Sequence, residues 1–189
     1  MKLIVATSPC FFVEENAILE AFFNEGLDYL HLRKPDSNPV YCERLLTLLD
    51  SKWRKRIVVN DHFYLKDEYD LKGIHISSRH PELPKGYEGF YTRSCYSLEE
   101  IEYWKKRSNY VIADSMNSEK LHRYQQADVI NNKVIAHELD SLDDVKLYRD
   151  AGFGGIVAAQ IIWNQFDFHQ SSNYKDLITL FKKIRKACG

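Results

Sequence analysis

The sequence predicts an α/β fold, a small (β/α)8 TIM barrel with short loops, formed by a single domain over residues 1–189. Eight apolar runs alternate with amphipathic helical segments in units of roughly 24 residues, and such alternation is typical of a parallel sheet. No Gly-x-Gly-x-x-Gly motif follows the first run, which weakens the alternative of an open, doubly wound sheet that binds nucleotides. Eight units favour closure of the sheet into a barrel.

The strands are predicted from short apolar runs that end in polar or turn residues. The first run ends before Pro9, and the second alternates apolar Leu30 and Leu32 with polar His31 and Arg33. Side chains of a strand point alternately to its two faces, so the two pairs occupy opposite faces. We expect strands over residues 3–8, 29–34, 57–61, 73–77, 91–95, 110–114, 133–138 and 155–161.

Helices are predicted between the strands from apolar residues at helical spacing and from capping residues. Ser97 with Glu100 three residues later predicts a capping box, while Gly26 and Gly152 follow predicted helix ends. Two prolines and two glycines in 78–90 permit a turn at most in that connection. We expect helices over residues 14–25, 40–53, 64–71, 97–107, 118–127, 141–150 and 174–186.

Composition argues against several classes of protein. The 26 lysine and arginine residues nearly balance the 27 aspartate and glutamate residues, so charge gives no indication of nucleic acid or an acidic membrane as a partner. No apolar run approaches the ~20 residues that a membrane-spanning helix needs. The four cysteines lack Cys-x-x-Cys spacing, which argues against a zinc site or a redox pair. We expect a cytoplasmic protein with reduced thiols that binds neither nucleic acid nor membrane.

Polar residues stand at the carboxyl end of every predicted strand, the edge at which such barrels hold their active sites. His31 and Arg33 lie on a strand whose two faces should be covered by helices and barrel, so they need a partner such as an anion. Arginine offers a planar fork of donors suited to phosphate or carboxylate. Asn60 and Asp61 end the third strand, and Asp61 is the expected ligand of Mg²⁺ if a phosphorylated substrate binds. The alternative is that strand ends are polar because they meet loops.

Two histidines are expected to point into the barrel. His31 and His75 alternate with leucine and isoleucine on neighbouring strands. The competing interpretation for each is an interior histidine held by hydrogen bonds. No histidine pair has His-x-x-x-His or His-Glu-x-x-His spacing, and no Ser-His-Asp or Cys-His set can be assembled.

Five segments in barrel order carry a resemblance to a known family. They are His31-Leu32-Arg33-Lys34, Val59-Asn60-Asp61, Gly73-Ile74-His75-Ile76, Ser94-Cys95-Tyr96-Ser97-Leu98-Glu99-Glu100 and Gly152-Phe153-Gly154-Gly155. Together, and nearly end to end, they resemble the thiamine-phosphate synthase superfamily, which also contains the thiazole tautomerases.

The resemblance implies a transferase of thiamine biosynthesis that couples hydroxymethylpyrimidine pyrophosphate to thiazole phosphate and releases pyrophosphate. Arg33 would clamp the pyrophosphate, Asn60 and Ser94 would hydrogen-bond it, and Asp61 would ligate Mg²⁺. The partners implied are small phosphorylated substrates, with homo-oligomerisation left open. The expected substrate-binding residues are His31, Arg33, Lys34, Asn60, His75 and Ser94, and no residue is assigned a catalytic role.

Several positions depart from the family's pattern. Pro35 stands where the lysine of the second strand falls, His80 stands near the second Mg²⁺-binding aspartate, and Tyr96 replaces the histidine that the tautomerases would use as acid or base. His137-Glu138-Leu139 occupies the place of a Gly-Gly turn that cradles a phosphate. The loop over residues 112–118 is shorter than the family's loop, which brings a phosphate-binding lysine.

These departures leave three functional hypotheses. The first is a thiamine-phosphate-synthase-like enzyme with turnover far below that of an intact family member. The alternative is a catalytically silent barrel that binds a phosphorylated or heterocyclic ligand or a partner protein. A further alternative is a thiazole tautomerase, which Tyr96 weakens.

Overall fold

Parallel strands of three to six residues form the centre of the molecule. The computed structural model describes residues 1–114, 117–137, 139–166 and 174–189. The strands are β1 (Lys2–Ala6), β2 (Tyr29–Leu32), β3 (Ile57–Val59), β4 (Gly73–Ile76), β5 (Phe90–Cys95), β6 (Tyr110–Ala113), β7 (Val134–His137) and β8 (Gly155–Ala158). Within the described residues, these eight strands pair in chain order and β8 pairs back onto β1, so the sheet closes into a barrel. The predicted (β/α)8 fold is therefore confirmed.

Helices connect most successive strands and cover the outside of the barrel. They are α1 (Glu15–Asn24), α2 (Pro39–Leu48), α3 (Leu65–Glu68), α4 (Leu98–Trp104), α5 (Ser118–Gln126), α6 (Leu142–Asp150), α7 (Gln160–Trp163) and α8 (Tyr174–Cys188). A 3₁₀ turn over Ser51–Arg56 follows α2. The segment between β4 and β5 is a loop, as the prolines and glycines there predict. None of the helices described here is both long and apolar enough to span a membrane.

Several strands end earlier than the sequence predicts. β2 ends at Leu32 and β3 at Val59, so Arg33, Asn60 and Asp61 begin the loops at the barrel mouth. The prediction of a strand through residue 161 is wrong, because α7 begins at Gln160 and stops β8 short. The predicted end of the seventh strand, Glu138, lies outside the described residues.

The capping interaction predicted at α4 forms with one difference. Ser97 Oγ accepts a hydrogen bond from the Glu100 backbone N–H at 3.2 Å, as a capping box requires. The Glu100 carboxylate accepts from the N–H of Tyr96 at 2.7 Å, one residue before the cap. Two orphan donors are still satisfied, and the chain entering α4 is held beside the end of β5.

The apolar core has two layers, which the strand alternation separates. Inward-facing side chains such as Ile4, Ile112 and Val157 fill the barrel. Leu30 and Leu32 face outward and belong to the layer between strands and helices. His31, between them in sequence, therefore points into the barrel and is 1 % exposed. The alternation predicted for β2 is confirmed, and it directs the next residue of the same face toward the barrel mouth.

Contacts between the two ends of the chain complete the shell. The Met1 ammonium donates to the Cys188 carbonyl at 2.9 Å, which attaches the last helix to the start of β1. Arg185 on α8 pairs with Asp28 at 2.8 Å, and the same carboxylate oxygen accepts from the Leu3 N–H. These contacts join α8 to the amino end of β1, which is the end opposite the barrel mouth.

Candidate functional site

A cavity of about 510 Å³ opens at the carboxyl ends of the strands. Its walls come from several of the strands and from the loops that follow them. Six of the residues predicted for the site line it together: His31, Arg33, Asn60, Asp61, His75 and Ser94. These side chains are distant in sequence, and the barrel brings them together because parallel strands place all their carboxyl ends at one edge.

The floor of the cavity is a buried network of neutral polar groups. His31 Nε2 and the Tyr110 hydroxyl are 2.7 Å apart in a hydrogen bond. Both ring nitrogens of His75 are bonded to hydroxyls, with Nδ1 2.7 Å from Thr92 Oγ1 and Nε2 2.9 Å from Ser94 Oγ. The two imidazole rings meet edge to face at 5.0 Å between centroids. Both histidines are thus hydrogen-bonded interior residues, as the competing interpretation expects. Both also line the cavity.

Burial keeps both imidazoles uncharged. Desolvation, with a smaller contribution from His137, lowers the pKa of His31 to about 3. Desolvation is also the largest cause that lowers the pKa of His75 well below its usual value, followed by the neighbouring His31. Near neutral pH the floor of the cavity therefore offers hydrogen-bond donors and acceptors without net charge. Such a surface suits a polar heterocycle better than an anion.

The guanidinium of Arg33 has no hydrogen-bond or ion-pair partner among the described residues. The backbone of Arg33 is fixed to β1, because its N–H donates to Thr7 Oγ1 at 3.0 Å and its carbonyl accepts from the same hydroxyl at 2.9 Å. Its side chain is exposed, lines the cavity and forms no hydrogen bond or ion pair with the residues that the structure describes. A rigid backbone that presents a free guanidinium fork is an arrangement suited to binding phosphate.

Lys34 lies away from the cavity, contrary to its predicted place among the substrate-binding residues. Its ammonium is 2.6 and 2.8 Å from the two carboxylate oxygens of Glu15 on α1, donates to the Cys10 carbonyl and lies 4.2 Å above the Phe11 ring. Both charged side chains are almost fully buried. Desolvation raises the pKa of Glu15 to about 7 against the opposing charge of Lys34. This pair joins α1 to the end of β2, and Lys34 is not among the residues that line the cavity.

Asn60 presents an unsatisfied acceptor at the site. It is 9 % exposed, and its buried Oδ1 has no partner of hydrogen-bond geometry among the described residues, although the side chain lies close enough to His31 to raise the pKa of that imidazole in opposition to burial. An orphaned acceptor of this kind is expensive unless a ligand or water supplies a donor. Since Asn60 also lines the cavity, a ligand bound there would relieve the penalty.

Asp61 faces an arginine and a histidine from the loop that follows β4. Its Oδ1 is 3.2 Å from His80 Nε2 and 3.6 Å from Arg79 Nε. Arg79 also donates from Nη2 to Asp36 Oδ1 at 2.9 Å, and this hydrogen bond is the main cause that lowers the pKa of Asp36. The Arg79 side chain therefore joins the loop after β2, the loop after β3 and its own loop.

The described residues around Asp61 do not fit a magnesium site. Mg²⁺ is usually held by one or two carboxylates together with substrate oxygens. Here one oxygen of Asp61 already faces an arginine, and no group of three or more histidine, cysteine, aspartate or glutamate residues suited to a metal ion occurs in the described parts of the chain. His80 occupies the neighbouring position, where it contacts Asp61 as a partner rather than providing a second carboxylate.

Another wall of the cavity contains two of the polar strand ends, to which the sequence analysis gave no role, and a tryptophan that it did not select. Asp114 and His137 face each other there, with Oδ1 and Nδ1 3.8 Å apart, next to apolar Ile112 and Val157. Trp163 closes this wall and donates from its indole N–H to the Ala6 carbonyl at 2.8 Å. Glu138 and residues 115–116, on which two of the expected departures depend, lie outside the described residues.

Tyr110, which bonds His31 beneath the cavity, and Arg79, which lines the cavity, were also not selected from the sequence. Tyr110 has the same strand parity as inward-facing Ile112, a signal that could have placed it in the barrel. Arg79 lies in a loop without periodicity, and no sequence pattern indicates its partners.

Comparison with solved structures places this chain near known thiamine phosphate pyrophosphorylases. The chain is 44 % identical to a thiamine phosphate pyrophosphorylase from Bacteroides thetaiotaomicron, with a TM-score of 0.92 over 99 % of this chain and 97 % of that chain. A thiamine phosphate pyrophosphorylase from Pyrococcus furiosus superposes with a TM-score of 0.74 at 18 % identity, over 100 % of this chain and 97 % of that one, which shows the shared fold. The tryptophan synthase α subunit of Legionella pneumophila likewise shares only the fold, with a TM-score of 0.71 at 12 % identity, over 99 % of this chain and 92 % of that one.

No protein-family model and no curated protein matches the chain. The identity and coverage of the Bacteroides relative nevertheless agree with the five sequence segments that resemble the same family. This chain belongs to the thiamine phosphate pyrophosphorylase, or thiamine-phosphate synthase, family.

Proposed function

We propose that this protein joins hydroxymethylpyrimidine pyrophosphate to thiazole phosphate and releases pyrophosphate. The observation that carries the proposal is the placement of Arg33, Asn60 and Ser94 on one cavity at the barrel mouth, in a chain of this family. Arg33 supplies a free cation for the diphosphate, and Asn60 and Ser94 supply polar contacts beside it.

The reaction needs charge stabilisation more than acid–base groups. The bond between the pyrimidine methylene carbon and the diphosphate oxygen breaks, and the electron pair leaves with pyrophosphate. The thiazole nitrogen then donates its electron pair to the resulting carbocation and forms the new C–N bond. Arg33 would stabilise the charge that grows on the leaving group. The neutral floor formed by His31 and His75 would orient the heterocycle without a competing charge.

The wall formed by Asp114, His137, Ile112 and Val157 is the place that remains for the thiazole. Its apolar side chains suit an aromatic ring. Asp114 adds a negative charge there, which disfavours a phosphate at that wall. We therefore expect turnover far below that of an intact family member.

Formation of thiamine phosphate tests the proposal directly. Both substrates would be supplied with Mg²⁺, the product dephosphorylated, and thiamine oxidised to its fluorescent derivative. We expect a slow rate above background, which Arg33→Ala lowers by about ten- to a hundred-fold through the loss of a charge-assisted contact. Arg123→Gln, which removes an exposed charge on α5, is the matched control and should leave the rate unchanged. Turnover equal to that of an intact family member would refute the expected low rate.

A second candidate function is a silent barrel that binds a phosphorylated or heterocyclic ligand. The burial of Lys34 against Glu15 favours it, because one of the expected phosphate-binding cations is held away from the cavity. Pyrophosphate binding that depends on Arg33, without any product after long incubation, would select this function over the synthase. We also propose a cytoplasmic location, which suits the four free thiols of Cys10, Cys42, Cys95 and Cys188.

A further inference from the structure

Two arginines line the same side of the cavity, and they differ in how they are held. Arg33 projects freely from the end of β2, whereas Arg79 is clamped between Asp36 and Asp61. A guanidinium carries five N–H donors, and these two contacts engage at most one donor each. Most of the Arg79 fork therefore remains available to a ligand while its position is fixed.

The loop that carries Arg79 is itself held in place. Ser77 and His80 exchange backbone hydrogen bonds at 3.3 and 3.1 Å, which closes a tight turn around Arg79. Tyr96 donates to Ser78 Oγ at 3.3 Å, and Arg93 donates to the Pro81 carbonyl at 2.9 Å. A cation on a fixed loop loses little conformational entropy when an anion binds.

The Asp61 carboxylate already faces a cation, Arg79, which it shares with Asp36. The carboxylate of Asp61 is only about 10 % exposed, and its Oδ1 faces Arg79 and His80. A divalent cation at this carboxylate would have to displace Arg79 or share the site with a permanent positive charge.

We propose that Arg79 supplies the positive charge that a metal ion would otherwise supply, so that Arg33 and Arg79 together bind the diphosphate group without Mg²⁺. Asp61 then acts as a positioning residue that holds Arg79, and it does not ligate a metal. This inference rests on the proposed function for the identity of its anion, a diphosphate ester or free pyrophosphate.

The experiment is calorimetric titration of the full-length protein with pyrophosphate, in EDTA and in excess Mg²⁺. We expect wild-type affinity in EDTA to equal or exceed that in Mg²⁺. In EDTA, Arg79→Gln should weaken binding by about ten- to a hundred-fold, as expected for the loss of a charge-assisted contact. Arg123→Gln is the matched control, and circular dichroism checks that each variant is folded.

Asp61→Asn separates the two roles of that carboxylate. If Asp61 positions Arg79, the variant should change pyrophosphate affinity by the same factor in EDTA and in Mg²⁺. A metal ligand would give a loss that appears only in Mg²⁺. Binding of Mn²⁺ to the protein alone, followed by its free-ion paramagnetic resonance signal, should be equal in wild type and Asp61→Asn.

Two results would overturn the inference: pyrophosphate binding that is absent in EDTA, or equal binding by wild type and Arg79→Gln in EDTA. Its failure is distinguishable from failure of the proposed function. Pyrophosphate binding in EDTA through Arg79, without formation of thiamine phosphate, would reject only the proposed function. Turnover with Mg²⁺-dependent binding through Asp61 would reject only this inference.

Discussion

Because His31 is buried in its neutral form, we expect the free energy of unfolding to fall as the pH is lowered. His31 is 1 % exposed, and burial lowers its pKa to about 3 from a usual value of 6.5. The informative substitution is His31→Gln, because glutamine retains hydrogen-bonding groups near the Tyr110 hydroxyl but cannot titrate.

The free energy of unfolding depends on pH because His31 binds its proton at a different pH in the folded and unfolded states. Between pH 6.5 and about 3, the unfolded chain protonates His31 whereas the folded protein does not. The stability associated with neutral His31 is therefore complete above pH 6.5 and is lost progressively as the pH falls toward 3. Each pH unit in this window changes the free energy of unfolding by about 1.4 kcal/mol. From pH 7.5 to 5.0 the loss from His31 alone is roughly 2 kcal/mol.

Other buried groups also titrate, so the pH dependence of the free energy of unfolding must be compared between the wild type and His31→Gln. His75 acts in the same direction, whereas Glu15, with its pKa raised to about 7, loses stabilisation as the pH rises from 4.5 toward 7. Subtracting the pH dependence of His31→Gln from that of the wild type removes these shared contributions to first order. The lost contact of His31 with Tyr110 adds a constant that does not depend on pH.

The assay is urea unfolding followed by tryptophan fluorescence at pH 7.5, 6.5 and 5.0. The wild type should lose about 2 kcal/mol more than His31→Gln between the first and last pH. His122→Gln is the control, because His122 is exposed on α5. Equal losses for wild type and His31→Gln would refute the argument that His31 is buried in its neutral form.

Three further predictions concern the buried pair, the anion site and a tight strand contact. Lys34→Met leaves the buried Glu15 carboxylate without its ion-pair partner and should lower the free energy of unfolding by about 3–5 kcal/mol. The double variant Lys34→Met/Glu15→Leu should regain most of the lost stability, because neither charge is then left buried alone. Urea unfolding of the wild type, the two single variants and the double variant measures the coupling, and a double variant whose loss equals the sum of the two single losses would contradict the pairing. Arg33→Ala should weaken pyrophosphate binding by about ten- to a hundred-fold in calorimetry, and unchanged affinity would remove Arg33 from the anion site. A Cβ on Gly73 would lie within 2.8 Å of the Phe90 backbone, so Gly73→Ala should lower the free energy of unfolding by about 1–3 kcal/mol. An unchanged midpoint of thermal unfolding would show that the backbone shifts to accommodate the added methyl group.

Features that depend on local periodicity could be predicted from the amino-acid sequence. Alternation along β2 was sufficient to place Leu30 and Leu32 under the helices and His31 inside the barrel. Eight βα units were sufficient to predict closure, and closure places the polar strand ends at one mouth. These predictions succeed because a strand's side-chain direction follows from a period of two residues, whatever the strand packs against.

The partner of each polar side chain could not be predicted from the sequence, because it depends on how the barrel folds. Lys34 pairs with Glu15, 19 residues away in sequence, and His31 with Tyr110, 79 residues away. Arg79 reaches Asp36 across 43 residues, and the same arginine faces Asp61, the expected metal ligand. Such pairings depend on distances between separate loops and on how far each charge is removed from water, and neither is encoded in the local pattern of residues.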